Sequence, residues 1–180
     1  MLYLCLDTST PILDCAIISG ETILADICKN AGKEHSTVAL PAIAELFQRT
    51  RLTPQDIDIF VATNGPGSFT GTRIGAAIIQ AMAHATAKKP AGISTLELMA
   101  WSGADGTVSP IIDARRDAVF NAVYHKTGNT LTEITPPRRI QRAELANEQT
   151  IESCEHKWNA WAKTPKITQE LKLIYLGGSI

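Results

Sequence analysis

"VATNGPGSFTGTRIGAAIIQAMAHATA", residues 61–87, is the stretch on which the reading of the chain turns. An apolar, β-rich run ends at Asn64, glycines follow at 65, 67, 71 and 75, and then comes a run of small apolar residues. Strand, glycine loop and helix in that order form a common phosphate cradle. Here "GPGSFTG" spaces its glycines as G-x-G-x-x-x-G, one residue too long for the dinucleotide pattern. It also lacks the Lys followed by Ser or Thr of a P-loop, and Phe69 is bulky for a loop wrapped round a phosphate. The spacing favours a tight turn that lets the next helix pack closely on the sheet, with Gly65 and Gly67 supplying backbone conformations other residues resist.

The helix that follows is informative in another way. Ile74 to Ala87 contains no formally charged residue, and Arg73 is the last charge before Lys88. A helix apolar all round is normally buried all round. Two readings stay open: a central core helix, or a helix whose outer surface meets another protein chain, with Gly75, Ala76, Ala83 and Ala87 allowing close approach. Arg73, at the helix start, would face an anion or a partner carboxylate.

The 180 residues and net charge of −1 suit one domain, or two small lobes sharing a core. Residues 1–100 carry 7 basic and 9 acidic side chains, and residues 101–180 carry 10 and 9. Neither half has the basic excess of an autonomous nucleic-acid binder. The N-terminal "MLYLCLDTST" lacks a basic region and reaches Asp7 too soon for a signal peptide. Cys5, Cys15, Cys28 and Cys154 form no C-x-x-C pair. A reducing, cytoplasmic setting with no membrane contact is expected.

Working outward, "LYLCLDTS" reads as a buried strand ending in a turn. "LDCAIISG" and "TILADICKN" read as a hairpin turning at Gly20-Glu21. "EHSTVALPAIAELFQRT" has helical spacing, with Ser36 or Thr37 as N-cap and Pro41 fitting only near the first turn unless it kinks the helix. "AGISTLELMAWSG" gives a strand and a helix capped by Ser94 or Thr95. "TVSPIIDARR" and "DAVFNAVYHKTG" form a second strand pair, and Pro136-Pro137 breaks the chain. "QRAELANEQT" predicts a short helix, and "LKLIYLGGSI" a last strand. Two hairpin-plus-helix units in tandem imply a duplicated α/β architecture with mixed sheets, the second unit shorter. Lobes over residues 1–105 and 106–180 are expected.

Three features could hold a nucleotide: the Asp7-Thr8-Ser9 turn, Asp113 at the end of the second unit's first strand, and Gly177-Gly178 after the last strand. Facing strand-end turns can grip phosphates through N–H groups and hydroxyls, and a carboxylate can orient a metal-bound water. Each is also an ordinary turn composition. His35, His84, His125 and His156 stand singly, and Ser68 lacks the G-x-S-x-G context of a nucleophile. Metal and nucleophile chemistry therefore find no support.

Together "LDTST", "EHSTVALP", "NGPGSFTGTRIG" and "IDARRDAVF" resemble the TsaB (YeaZ) family over residues 1 to about 125. The resemblance implies the duplicated actin-like, sugar-kinase-like (ASKHA) fold. It implies a subunit without catalysis of its own, needing no cofactor. Such a subunit pairs with a TsaD-type catalytic subunit, is joined by a TsaE-type ATPase, and forms a homodimer when the partner is absent. The assembly moves a threonylcarbamoyl group onto adenosine 37 of tRNAs reading codons that begin with A, and the family member meets tRNA only indirectly.

Carried onto this chain, the pairing helices cover 36–50 and 73–87. They make His35, Ser36, Leu40, Ile43, Phe47, Arg73, Ile74, Ala77, Ile78, Ala81 and Met82 the expected partner-binding residues. The resemblance leaves Asp7, Thr8, Ser9, Asp113, Gly177 and Gly178 as a vestigial nucleotide site. Where the catalytic paralogue has His-x-x-x-His, this chain has His35 and Ala39, and one imidazole cannot hold a metal that needs several ligands. Thr72 stands where the family usually has Leu. Family members continue past the equivalent of "GGSI" with a helix and a short apolar tail, so a short or truncated second lobe is expected. The alternative is a small ATP-binding or ATP-hydrolysing enzyme of the same superfamily.

Overall fold

The computed structural model describes residues 1–145, 149–163, 165, 169–174 and 176, with the backbone alone at Gln149 and Gln169. Strands β1 (Leu2–Asp7), β2 (Ile12–Ser19) and β3 (Thr22–Asn30) form an antiparallel meander, with the turn at Gly20-Glu21. Strand β4 (Ile59–Thr63) pairs parallel to β1, and β5 (Pro90–Ile93) pairs parallel to β4. Parallel neighbours need crossovers, and helices α1 (His35–Thr50) and α2 (Phe69–Ala85) supply them.

Side chains alternate across this sheet with period two, so each strand feeds two cores. Leu4, Leu6, Leu13, Cys15, Ile17, Phe60 and Ala62 pack on one face against α1 and α2. Tyr3, Cys5, Ala16, Ile18 and Val61 pack on the other, against α3 (Thr95–Ala100) and α4 (Lys157–Trp161), where Trp158 and Trp161 are fully buried. Burial on both faces explains the near-continuous apolar runs in β1 and β2.

The second sheet contains β6 (Gly106–Asp113), β7 (Ala118–Thr127), β8 (Thr130–Gln141) and β9 (Gln149–Ile151), in the order β8-β7-β6-β9. That order, with β6 antiparallel to β7 and parallel to β9, repeats β3-β2-β1-β4 of the first sheet. The expected duplication is thus present in topology. Helix α3 packs on both sheets, with Leu96 and Ala100 against Val108, Ala122 and Tyr124. The chain end returns to the first lobe, because β10 (Gln169–Glu170) pairs antiparallel with β5. A boundary at residue 105 therefore separates the two sheets except at α4 and β10.

Several local expectations are corrected. Helix α1 begins at His35 with Glu34 as N-cap and no side-chain cap; the Thr37 hydroxyl donates instead to the Glu34 carbonyl at 2.9 Å. Pro41 lies inside the helix, in its second turn. Helix α2 starts four residues before Arg73, because the Ser68 hydroxyl accepts from the Gly71 N–H and caps it there. Strand β8 runs through Pro136-Pro137. It is an edge strand with register shifts opposite Asn121–Tyr124, so the missing N–H groups leave no ladder bond unmade. The helix expected over 141–150 is one 3-10 turn, Arg142–Glu144, and Gln149-Thr150 belongs to β9. Of the strand expected over 171–180, residues 171–174 are irregular, held by the Ile174 N–H on the Asn64 carbonyl at 2.7 Å.

Candidate partner face and interlobe cleft

Helix α2 is not buried all round. Gly71, Thr72, Gly75, Ala76, Ile79 and Ala83 face the sheet. Ala77, Ala81 and Ala85 are exposed, and Ile74, Ile78 and Met82 are half-buried at the edge of that stripe. Its outward side is therefore free of formal charge over three turns. On α1, Leu40 is 54% exposed, Ser36 is exposed and Phe47 is half-buried.

Two of the expected partner-binding residues are corrected by their placement. Ile43 is 2% exposed within the core beneath α1. His35 is 4% exposed, with Nε2 at 2.8 Å from the Thr10 carbonyl. A carbonyl only accepts, so Nε2 carries the proton, and the buried Nδ1 has no partner among the described residues. Arg73 lies over the Phe69 ring, its guanidinium carbon 3.6 Å from the centroid.

The glycine loop packs directly on the Asp7-Thr8-Ser9 turn. The Thr8 hydroxyl donates to the Gly71 carbonyl at 2.7 Å, and the Ser68 N–H donates to the Ser9 carbonyl at 2.7 Å. A Cβ on Gly71 would run into the Thr8 carbonyl oxygen, and one on Gly75 would meet the Thr8 hydroxyl. Gly65, at φ +102°, takes a conformation only glycine adopts readily. The loop is thus a close-packing device, as its spacing suggested.

A cavity of about 740 Å³ opens between the lobes, with Ser9, Ser68 and Phe69 on one wall and Asp113, Arg115 and Phe120 on the other. Asp113 is exposed, and its Oδ1 accepts from the Arg115 N–H at 2.8 Å. Asp7 is wholly buried. Its Oδ1 accepts from the Ser9 N–H (2.8 Å), the Ser9 hydroxyl (2.5 Å) and the Thr63 hydroxyl (2.7 Å), and its Oδ2 is 2.9 Å from Lys157 Nζ.

Burial pushes the Asp7 carboxyl up, but Lys157 and the Ser9 bonds prevail and hold it below the usual range. Asp14, beside Asp7 in the β1–β2 register, accepts from the Lys157 N–H at 2.6 Å and is raised by burial to about 6. Thr8 and Ser9 are buried as well. Gly177 and Gly178 lie outside the described residues.

Lys157, Asp14 and Thr63 escaped the sequence reading. Lys157 sits in the polar stretch 150–168, where nothing in the local pattern marks it. Asp14 does carry a signal, as an acidic residue inside the apolar run of β2.

A family model described as "TsaD: tRNA N6-adenosine threonylcarbamoyltransferase" matches residues 23–179. "tRNA threonylcarbamoyladenosine biosynthesis protein TsaB" of Bacillus subtilis is 34% identical over 146 residues, covering 80% of this chain and 64% of that protein. The protein of the same name from Escherichia coli is 28% identical over 190 residues, covering the whole chain and 80% of the relative. The chain belongs to this family, on its TsaB (YeaZ) branch. It spans less than two thirds of the Bacillus TsaB it matches.

Among solved structures, YeaZ from Pseudomonas aeruginosa superposes with a TM-score of 0.75 at 23% identity, covering 81% of this chain and 70% of that one. A second structure, titled an uncharacterized protein with similarity to peptidase YEAZ from Pseudomonas aeruginosa, gives 0.82 at 19% identity, covering 98% and 99%. These likenesses speak to the fold: the chain has the duplicated ASKHA architecture with two mixed sheets. Among the described residues no helix is long and apolar enough to cross a membrane.

Proposed function

We propose that this chain is a scaffold and activator subunit. It binds a TsaD-type catalytic subunit through the outward faces of α1 and α2, for threonylcarbamoyl transfer to adenosine 37 of tRNAs reading codons that begin with A. The observation that carries the reading is the charge-free outer side of α2, with Ala77 and Ala81 exposed between Ile74, Ile78 and Met82. Small residues let a partner helix approach closely, and the half-buried Ile and Met side chains offer apolar area to be covered. Leu40 and Phe47 extend the surface onto α1, and Ser36 and Arg73 sit at its rim.

On this reading the chain performs no reaction alone and works in the cytoplasm. It self-associates through the same face when the catalytic subunit is absent, and a TsaE-type ATPase joins the assembled pair. The Asp7 turn, engaged by Lys157 and the glycine loop, then acts as an internal brace rather than as a nucleotide site. That arrangement disfavours the alternative of a small ATP-hydrolysing enzyme, which needs Asp7 free for a cation-bound phosphate.

The test is co-purification with the catalytic subunit. Ile78 is partly packed into the core, so Ala77→Glu and Ala81→Glu are the cleaner substitutions. Each is expected to abolish co-purification while the melting temperature stays that of the parent. Retention of the catalytic subunit by the double variant would reject the reading.

A further inference from the structure

Five arginines crowd one end of the second lobe, with Arg138 and Arg139, adjacent on an edge strand, on opposite faces of the sheet. Arg115 and Arg116 lie on the β6–β7 turn, Arg138 and Arg139 on the edge strand β8, and Arg142 just beyond it; all five are exposed. The register sets Phe120 opposite Arg139 and Asn121 opposite Arg138. Arg139 Nη2 donates to the Arg115 carbonyl at 3.4 Å, and the Arg142 N–H donates to the Asp117 carbonyl at 2.7 Å.

Four carboxylates share this end of the lobe, Asp113, Asp117, Glu144 and Glu152, so the five arginines leave a surplus of one positive charge. Glu152 pairs with Arg142 at 2.6 Å. Asp113 accepts from the Arg115 N–H, and Glu144 accepts from the Gln141 N–H. Asp117 has no such bond among the described residues. Arg115, Arg116, Arg138 and Arg139 have no carboxylate within 4.0 Å among the described residues.

The turn that presents the first two is unusual. Arg115, Arg116 and Asp117 are consecutive left-handed residues, at φ +61°, +55° and +56°. A run of three non-glycine residues in that region persists only where the surroundings enforce it. Here the Ala114 N–H to Ala118 carbonyl bond (2.9 Å), the Ala118 N–H to Arg115 carbonyl bond (3.1 Å) and the contacts from Arg139 and Arg142 do so. The N–H groups of Arg116 and Asp117 make no hydrogen bond among the described residues.

We infer that this arginine turn is an auxiliary contact for the phosphate backbone of an RNA. Guanidinium forks and unpaired amides suit phosphate oxygens, and such contacts position a nucleic acid without reading its sequence. The inference rests on the proposed role in tRNA modification, which makes RNA the fitting polyanion. It also goes beyond that role, because the family resemblance implies only indirect contact with tRNA. With a net charge of −1 the chain is no autonomous binder, so the contact adds to one made chiefly by the catalytic subunit.

The test is fluorescence anisotropy with unmodified tRNA over a salt series, using the full chain alone and mixed with the catalytic subunit. The parent is compared with Arg115→Gln/Arg116→Gln, both on the turn itself; Arg138 is left in place because its Nε and Nη2 donate to Asn121 Oδ1 at 3.5 Å. Each lost phosphate contact lowers the salt slope by about 0.7–0.9, so the double variant is expected to lose between one and two units of slope. Affinity at low salt should fall several-fold, with melting temperature and complex formation unchanged. An unchanged slope and affinity would overturn the inference. So would a loss confined to a poly-glutamate peptide, which points to an acidic protein instead. If the two subunits fail to associate, the scaffold reading falls; the arginine turn then stands if the chain alone binds tRNA weakly at low salt and the double variant does not, and falls if neither or both bind.

Discussion

Lys157 Nζ stands 2.9 Å from Asp7 Oδ2, with the lysine 1% and the aspartate 0% exposed. The pair joins the first turn of α4, late in the chain, to the end of its first strand. The Lys157 N–H on Asp14 and the Trp158 indole N–H on the Asp14 carbonyl, at 3.0 Å, complete the clasp. A buried charge without its partner costs far more than the pair contributes. Lys157→Met should therefore destabilise by roughly 3–5 kcal/mol. Asp7→Asn/Lys157→Met should recover part of that loss, because position 7 no longer holds a bare charge, while Asp14 still loses the lysine beside it. Urea unfolding of the two variants and the parent checks both statements; equal stability of all three would show the pair to be inconsequential.

The same cluster sets a pH dependence. Burial raises Asp14 from 3.8 to about 6, against the pull of Lys157. A carboxyl raised on folding adds stability that is fully present below its unfolded pKa and lost as pH rises through the folded one. Asp14 should thus weaken the fold between about pH 4 and 6, and Asp14→Asn should flatten that part of the profile. Asp7 acts oppositely. Held below its ordinary value, it contributes stability above about pH 4 that is lost as pH falls further. Melting temperatures of the parent and Asp14→Asn from pH 4 to 8 check the sign; a wider gap at pH 5 than at pH 7.5 would contradict it.

Gly71 shows how the loop meets the first turn. Its Cβ position is taken by the Thr8 carbonyl oxygen, a backbone atom that cannot swing aside. Gly71→Ala should cost at least the 1–3 kcal/mol typical of overpacking, despite alanine's better helix propensity. A chemical-denaturation midpoint equal to that of the parent would mean that α2 can ride outward freely.

The surface pair Arg49–Glu45, one helical turn apart on α1 with both side chains about half exposed, is a useful contrast. Its removal by Glu45→Ala should change stability by less than about 1 kcal/mol. A larger loss in the same unfolding assay would mark that part of α1 as more than a solvated flank.

The legible parts of the fold were those fixed locally. The apolar runs of β1 and β2, the Gly20-Glu21 turn, the Ser94 cap of α3 and the strand–glycine loop–helix unit follow from side-chain pattern and turn chemistry. Pro136-Pro137 misled because an edge strand can dispense with their N–H groups, and edge position is a property of the sheet. Ile43 and Ala77 look alike in sequence, yet one points into the core and the other outward, since a helix apolar on most faces does not reveal its own rotation. Lys157 was illegible for a related reason: its partners Asp7 and Asp14 lie more than 140 residues away, and only the returning chain brings them together.

Hydrogen exchange of the chain with and without the catalytic subunit tests the scaffold reading most directly. Bound, the amides of α2, residues 69–85, and the solvent-facing turns of α1 are expected to slow by at least tenfold, with the second sheet unchanged. Protection confined to the second lobe, or none at saturating partner, would contradict it.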